Sequence, residues 1–329
     1  MIDLSIIIVN WNTKEALLNC LNSIANTVKS INYELIIVDN ASTDGSAEAI
    51  AQKYPSAKII KNDSNLGFAR AVNQGIKESQ GRYFLSLNSD TRINAGALEL
   101  MIKFMDENPS VGIAGAQLIN EDGTLQNSFD NFPNLATVLL NKSALRLLFP
   151  SKYLNKDNQP ATSFEVESVV GACMIIRPSA LKDTGYFDED YFIFLEETDL
   201  CLRMKRKGWK VMVLPDAKVY HLQGKTKKQI LIPTKIEYLN SLYKFFHKNK
   251  STLTYLTIRI IYPFRLLCQA VFALISLILT LGLARRIRAK CYFYFYLLAW
   301  HLLFCPNGMT LKGIMEKAKK DTAKIDTNP

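Results

Sequence analysis

Four short runs limit what this chain can fold into: Ser5–Val9, Glu34–Val38, Lys58–Lys61 and Tyr83–Leu87. Each has strand length and an apolar centre. Each is followed by a segment with helical spacing, respectively Lys14–Thr27, Ser46–Tyr54, Phe68–Ser79 and Ala95–Asn108, the last closed by Pro109. In the first of these, Ala16, Leu17, Cys20, Leu21 and Ile24 share one helical face. Strands alternating with helices of this size predict an α/β fold with a mostly parallel, Rossmann-like central sheet and helices on both faces. Ligands of such sheets gather at the carboxyl ends of the strands. The residues there are Asn10–Asn12, Asp39–Asn40 and Asn88–Asp90, all polar apart from Trp11, with an acid in two of the three groups.

Further along, 120–165 reads as loop-rich, Val166–Ile176 returns to strand character, and Phe192–Leu195 leads into a helix over Glu196–Lys207. Lys210–Pro215 and Lys218–Tyr220 read as two late strands. The start, MIDLSIIIVNWN, lacks a basic n-region and reads as a first strand rather than a signal peptide. The six cysteines form no CxxC pair and no zinc-like spacing with histidine, which predicts free thiols in a reducing compartment.

The net charge of +10 is unevenly spread. Residues 225–329 hold 18 Lys and Arg against 4 Asp and Glu, and residues 1–224 hold 22 against 26. Such asymmetry predicts two regions with different partners. Within the basic region, Leu266–Ala284 runs for 19 residues without a charge. As a helix it would extend about 28 Å at 1.5 Å per residue, just short of a hydrocarbon core of about 30 Å. Arg285, Arg286, Arg288 and Lys290 follow, and then the aromatic-rich run Cys291–Cys305. With basic residues on both flanks, a single crossing would conflict with the positive-inside tendency. The reading adopted is a monotopic or re-entrant hairpin, with a two-pass hairpin as the alternative. Its Lys and Arg would meet anionic headgroups, and Tyr292, Tyr294, Tyr296 and Trp300 suit the interface. Nucleic acid is not an expected partner, because the long uncharged run would be costly to expose to water.

Several side chains admit both a ligand and a structural reading. Asp39, at a strand end, suits hydrogen bonds from a pyrimidine N–H or a ribose hydroxyl. Ser42, Thr43 and Asp44 behind it suit a turn and helix cap. Gly67 permits close backbone approach to a ligand and Arg70 could pair with phosphate, although a glycine before a helix is common. Asp90 offers an oxygen to a divalent metal, or initiates an Asn-Ser-Asp turn. Glu196, Glu197 and Asp199 start a helix, where carboxylates compensate the dipole. Phe192, Phe194 and Leu195 lie just before them and imply partial burial, which raises a carboxylate pKa toward that of a general base. A lone histidine such as His221 is more often structural than a ligand.

Seven segments in order over residues 4–226 carry a resemblance: SIIIVNWNT, VDNASTDGS, NLGFARAVNQG, LNSDT, GACMIIRPSAL, FDEDYFIFLEETDLCLR and HLQGKT. Together they resemble the family 2 glycosyltransferases of GT-A fold, within the bacterial rhamnosyltransferase-like branch. The resemblance implies an inverting transfer of a sugar, with dTDP-rhamnose a candidate donor, to a saccharide acceptor in surface polysaccharide synthesis such as that of O-antigen. It implies a catalytic domain over 1–225; the basic, apolar composition beyond it predicts a membrane-association region over 226–329. Donor contacts would come from Val9, Asn10, Trp11, Asn12, Asp39, Asn65, Gly67, Arg70, Asn88, Ser89 and Asp90, with Asp39 on the base and Trp11 near the ring. Asp90 resembles the last acid of the family's DxD motif, and His221 its HxxG-type histidine. Both would ligate Mg²⁺ or Mn²⁺. Asn88 departs from the pattern by replacing the first Asp, which removes a charge. Glu197 falls where the family places its catalytic base, usually the Asp of a Glu-Asp pair. Glu196, Gly171 and Ala172 would face the acceptor, and Glu196 is the alternative base.

The implied partners are a nucleotide-diphosphate sugar, a lipid-linked or oligosaccharide acceptor and the membrane surface. The implied location is the cytoplasmic face of the bacterial inner membrane. A non-catalytic scaffold that binds nucleotide sugar is the competing reading. A nucleotidyltransferase would want a Gly-rich basic phosphate loop near the N-terminus, and VNWNTKEA is not one. The sequence carries no signal for oligomeric state.

Overall fold

The computed structural model describes residues 1–222 and 231–317, without the side chain of Leu231. The expected domain boundary at 225 and the end of the HLQGKT segment lie outside the described residues. The chain divides into two compact units, Met1–Phe132 with Lys142–Gly224, and Pro133–Asn141 with Lys225–Pro329.

The first unit opens with the expected alternation: β1 (Leu4–Asn10), α1 (Lys14–Thr27), β2 (Tyr33–Asp39), α2 (Ser46–Lys53), β3 (Lys58–Lys61), α3 (Phe68–Lys77) and β4 (Tyr83–Asn88). These four strands are mutually parallel, in the order β3-β2-β1-β4. The two faces of β1 explain the layers. Ile6 and Ile8 join a core with Leu17, Leu21 and Ile24 of α1. Ile7 points the other way, into a core with Ala69, Val72 and Ile76 of α3. Side chains that alternate across a strand force helices onto both sides of it.

The sheet continues with β5 (Thr91–Ile93), α4 (Ala97–Glu107) and β6 (Val111–Ile119), a strand that sequence reading missed. All nine residues of β6 are buried. Its sequence, VGIAGAQLI, looks weak because small residues interrupt the apolar pattern. They are required by close packing: a Cβ on Gly115 would lie 2.8 Å from Val169 Cβ, and one on Gly112 would lie 3.0 Å from Trp209 Cβ.

After β7 (Phe129–Asp130) come α5 (Leu135–Leu139), which belongs to the second unit, and then α6 (Lys142–Leu148) and β8 (Phe164–Glu165). The expected strand over Val166–Ile176 is two pieces, β9 (Ser168–Val169) and β10 (Cys173–Ile176). The chain switches sheets between them, because β9 pairs with β7 while β10 runs antiparallel between β4 and β6. Helices α7 (Pro178–Thr184) and α8 (Glu196–Arg206) precede β11 (Lys210–His221). The two late strands expected from the sequence are therefore one. Pro215 and Asp216 sit at a bulge, and the pairing with β6 shifts register between Leu214 and Lys218.

The second unit contains α9 (Leu231–Asn249), α10 (Thr252–Leu279) and α11 (Arg285–Leu302). The uncharged run is not itself the helix. Helix α10 starts fourteen residues earlier, carries Pro263 inside it and ends at Leu279. It is the helix long and apolar enough to cross a bilayer among the described residues, with mean hydropathy 1.8 over the most apolar window. Phe264, Phe272, Ile278 and Leu279 on it are exposed. The Arg285–Lys290 cluster is the first turns of α11 rather than a linker. All six cysteines are free.

Candidate active site

Three strand ends of the first unit are tied together by one hydrogen-bonded chain. Asn10 Nδ2, at the end of β1, donates to Asp39 Oδ1 at the end of β2 (2.8 Å). Thr13 Oγ1 donates back to Asn10 Oδ1 (2.7 Å), and Ser89 Oγ, just past β4, lies 2.8 Å from Thr13 Oγ1. Asp39 is buried and also accepts from the Ser42 amide (3.0 Å). Asn12, at φ 53°, accepts from the Thr43 amide (2.8 Å). Asp44 accepts from the Lys14 and Ser46 amides (2.8 and 3.1 Å), so it caps α1 and buttresses the start of α2. The predicted donor-side residues Asn10, Asn12, Asp39 and Ser89 are thus brought together, with Val9 and Trp11 half-buried beside them. Thr13, which links them, carried no distinctive sequence signal.

Asn65, Gly67 and Arg70 have different surroundings from those expected. Asn65 Oδ1 accepts from the Gly67 amide (2.9 Å). Gly67 sits at φ 86°, ψ 169°, a region open essentially to glycine alone. The group packed against it is Phe192: a Cβ there would lie 2.5 Å from the Phe192 carbonyl oxygen. The Phe68 amide donates to that same oxygen (2.7 Å). Gly67 therefore docks the loop before α8. Arg70 Nε donates to Glu189 Oε2 (3.0 Å) in a solvent-exposed ion pair.

Asp90 follows β4 and faces His221 at the end of β11, with His221 Nε2 3.4 Å from Asp90 Oδ1. These residues are 131 positions apart in the chain; the pairing of β11 with β5 joins them through His221 opposite Thr91. Gln126 Oε1 lies 3.1 Å from His221 Nδ1, and Gln126 Nε2 donates to the His221 carbonyl (2.6 Å). Nothing in the sequence marked Gln126. No group of three or more His, Cys, Asp or Glu side chains arranged to hold a metal occurs among the described residues. A carboxylate oxygen and an imidazole nitrogen are a donor set that a divalent cation can take, with its remaining ligands from phosphate and water.

The acceptor-side residues meet at the start of α8. Phe194 and Leu195 occupy consecutive left-handed conformations (φ 73° and 66°), strained for side chains of their size, immediately before Glu196 and Glu197. Glu196 is buried and Glu197 half-buried, and each has one buried carboxylate oxygen, Oε2, without a hydrogen-bond partner. Burial pushes the Glu196 carboxyl well above its ordinary range, and the neighbouring Glu197 charge pushes it further. Burial also raises Glu197, but amides including those of Thr198 and Gly171 favour its charged form. Burial thus raises both carboxyls of the pair, and each opposes ionisation of the other. Asp199 is different: it is buried in an ion pair with Arg203 Nε (2.8 Å), and the other guanidinium nitrogens, Nη1 and Nη2, donate to the Thr184 and Tyr186 carbonyls respectively.

Gly171 and Ala172 connect this corner to the strand ends. A Cβ on Gly171 would lie 3.5 Å from Glu197 Cβ and Cγ, and the Ala172 carbonyl accepts from the Asn88 amide (2.9 Å). Gly171 and Ala172 thus lie between the start of α8 and the end of β4. Asp130, unmarked in the sequence, also opposes ionisation of Glu197 and is held by Lys142 (2.6 Å). It lines a cavity of about 230 Å³ with Asn131, Lys152 and Glu167. A larger cavity of about 350 Å³, lined by Phe104, Thr162, Leu214 and Asp216, holds none of the predicted site residues. Burial pushes the Cys20 and Cys201 thiols up to about 12, so neither supplies a thiolate nucleophile near neutral pH.

Residues 5–185 match the family described as Glycosyl transferase family 2. The chain is 27% identical over 202 residues to an N-acetylglucosaminyl-diphospho-decaprenol L-rhamnosyltransferase of Mycobacterium tuberculosis, covering 57% of this chain and 66% of that protein. It is 26% identical over 210 residues to the low-salt glycan biosynthesis hexosyltransferase Agl10 of Haloferax volcanii, covering 63% and 62%. The chain thus spans less than two thirds of the length of these relatives. Among solved structures, the mannosyltransferase PcManGT of Pyrobaculum calidifontis, in complex with GDP-Man and Mn²⁺, superposes with a TM-score of 0.56 at 16% identity, over 92% of this chain and 86% of that one. GalNAc-T7 with UDP, GalNAc and Mn²⁺ superposes with a TM-score of 0.55 at 16% identity, over 73% and 47%. The expected GT-A fold is shared with both.

Proposed function

The chain belongs to glycosyl transferase family 2, and from that premise we propose that it transfers a sugar from a nucleotide-diphosphate donor to an acceptor hydroxyl with inversion. The observation that carries this reading is the pair of carboxylates at the start of α8, each with an orphaned buried oxygen, joined to the end of β4 through Gly171 and Ala172. A buried carboxylate oxygen without a partner is costly unless a ligand satisfies it. An acceptor hydroxyl is such a ligand.

Glu197 is the proposed base. Main-chain amides of Gly171 and Thr198 favour its charged form, and Glu196, buried beside it, is placed to hold the acceptor. Glu197 takes the proton from the acceptor oxygen as that oxygen attacks the anomeric carbon and the nucleoside diphosphate departs. A single direct displacement inverts the anomeric centre. Asp90 and His221 are the proposed ligands of Mg²⁺ or Mn²⁺, and such a cation neutralises charge on the departing diphosphate. Mn²⁺ in both structural neighbours supports a divalent metal here.

The donor is proposed to lie over Val9–Asn12, Asp39, Asn65, Gly67, Arg70 and Asn88–Asp90, with its base near Asp39. The Asp130 cavity is the proposed seat of an acceptor sugar unit; at about 230 Å³ it is below the roughly 300 Å³ lower end for drug-sized ligand pockets. A rhamnosyl donor and a polyprenyl-diphosphate acceptor are the finer reading, supported by the printed name of the mycobacterial relative. The exposed apolar surface of α10 and the basic start of α11 support attachment to an anionic membrane face.

The experiment is a panel of nucleotide sugars with Mg²⁺ or Mn²⁺, scored for nucleoside-diphosphate release. Asp90→Ala should abolish release. Glu197→Gln should nearly abolish it while donor still binds. Full activity in both variants would remove the site from this account.

A further inference from the structure

The turn after β6 forms a directed relay of hydrogen bonds that ends on His221. Its polarity is set at the far end by Asp122, whose ionised carboxylate accepts only. Hydrogen bonds from Thr124 hold that carboxyl below its usual range. Thr124 Oγ1 donates to Asp122 Oδ1 (2.6 Å), so its lone pairs receive Asn120 Nδ2 (2.8 Å). That fixes the orientation of the Asn120 amide, with Oδ1 left to accept from Gln126 Nε2 (2.7 Å). Gln126 Nε2 spends its other hydrogen on the His221 carbonyl (2.6 Å). Both of its N–H bonds are then committed, so the Gln126 atom facing the imidazole is the acceptor Oε1. Across that 3.1 Å contact, His221 Nδ1 must carry the hydrogen.

A neutral imidazole has one N–H. With Nδ1 protonated, Nε2 presents a lone pair, and it presents it to Asp90 Oδ1 at 3.4 Å. Two electron-rich atoms so placed repel each other unless a cation or a proton lies between them. The relay is built on rigid supports. Gln126 is buried, its own amide donates to the Leu118 carbonyl (2.8 Å), and the turn is closed by Asn120 N to Thr124 O (2.8 Å) and by Gly123 at φ 82°.

We infer that Gln126 is a positioning residue: it locks His221 in the Nδ1–H tautomer and so aims the Nε2 lone pair at a divalent cation shared with Asp90. A ligating histidine is commonly oriented by an acceptor on its second nitrogen, and loss of that acceptor typically costs about 10–100-fold in metal affinity. The cation half of this inference rests on the donor-site reading above; the tautomer half does not.

The test is nitrogen NMR of the full chain labelled with [¹⁵N]histidine, metal-free, at a pH where imidazoles are neutral. The His221 signals are identified by their loss in His221→Gln. Wild type should show Nδ1–H with an unprotonated Nε2. Gln126→Leu should shift His221 toward the Nε2–H form, which donates to Asp90. Gln126→Glu keeps an acceptor but loses both N–H donors. It should retain the tautomer, whereas a merely structural glutamine would make it the worse variant. An Nε2–H form in wild type, or an unmoved tautomer in Gln126→Leu, overturns the inference.

In parallel, Mn²⁺ binding in the presence of a nucleoside diphosphate is followed by paramagnetic relaxation of water protons. Affinity should fall 10–100-fold in Gln126→Leu and stay near wild type in Gln126→Glu. If His221→Gln itself leaves Mn²⁺ affinity unchanged, the metal reading fails and the cation half with it, while the tautomer result separately decides the relay.

Discussion

Gly67→Ala is a sharp probe of how the loop before α3 and the loop before α8 depend on each other. The new Cβ meets the Phe192 carbonyl oxygen at 2.5 Å and its ring at 2.7 Å, and the backbone conformation excludes other residues as well. The backbone strain alone costs about 1–3 kcal/mol. Relieving the clash moves Phe192 away and weakens the Phe68 N–H bond to its carbonyl, a further loss of about 1 kcal/mol. The sum, about 3 kcal/mol, is more than a hundredfold in the folded-to-unfolded ratio. For a unit of this size it lowers Tm by about 6–12 °C. The control is Gly208→Ala, at φ 84° with nothing within 4 Å of a Cβ, which should cost only about 1 kcal/mol. Both are measured by denaturant unfolding of the purified chain, with donor turnover in parallel. Because Phe192 leads through Phe194 and Leu195 to Glu196 and Glu197, Gly67→Ala should also lose turnover under conditions where it remains folded. Equal stability in the two variants, with turnover intact, would refute the coupling of the two loops through Phe192.

Three other outcomes are expected. Burial raises Glu196 above its unfolded-state pKa, so its stabilising, protonated form is fully present below the unfolded pKa and is lost as pH rises through the folded pKa. Glu196→Gln should therefore be more stable than wild type near neutral pH, with the gap closing in acid; a gap independent of pH in thermal melts would contradict the assignment. Arg203→Ala removes the ion pair of the Asp199 carboxylate, which is 3% exposed, and should cost about 3 kcal/mol in denaturant unfolding; a loss under 1 kcal/mol would mean that the other interactions of Asp199 compensate its charge. Phe272→Asp with Leu279→Asp places charge on the exposed side of α10 and should reduce co-sedimentation with phosphatidylglycerol-containing vesicles. Unchanged sedimentation would count against α10 as the contact surface.

The sequence by itself determined the parallel half of the sheet. Runs such as Ser5–Val9 and Tyr83–Leu87 are locally apolar, and the helical faces between them leave one layered solution. It also marked the polar strand ends and the acids after Phe192, because residue type and order are visible without a fold. It could not reveal β6, whose glycines read as interruption until Val169 and Trp209 are packed against them. It could not show that Phe192 packs against Gly67, because residue type shows the need for glycine but not which group comes near. The resemblance implied that Asp90 and His221 share a cation, but the orienting contact of Gln126 and the influence of Asp130 on Glu197 came only with tertiary structure. Each joins residues far apart in the chain through strand pairing or loop packing. Electrostatics and hydrogen-bond direction depend on distance in space, which no local pattern encodes.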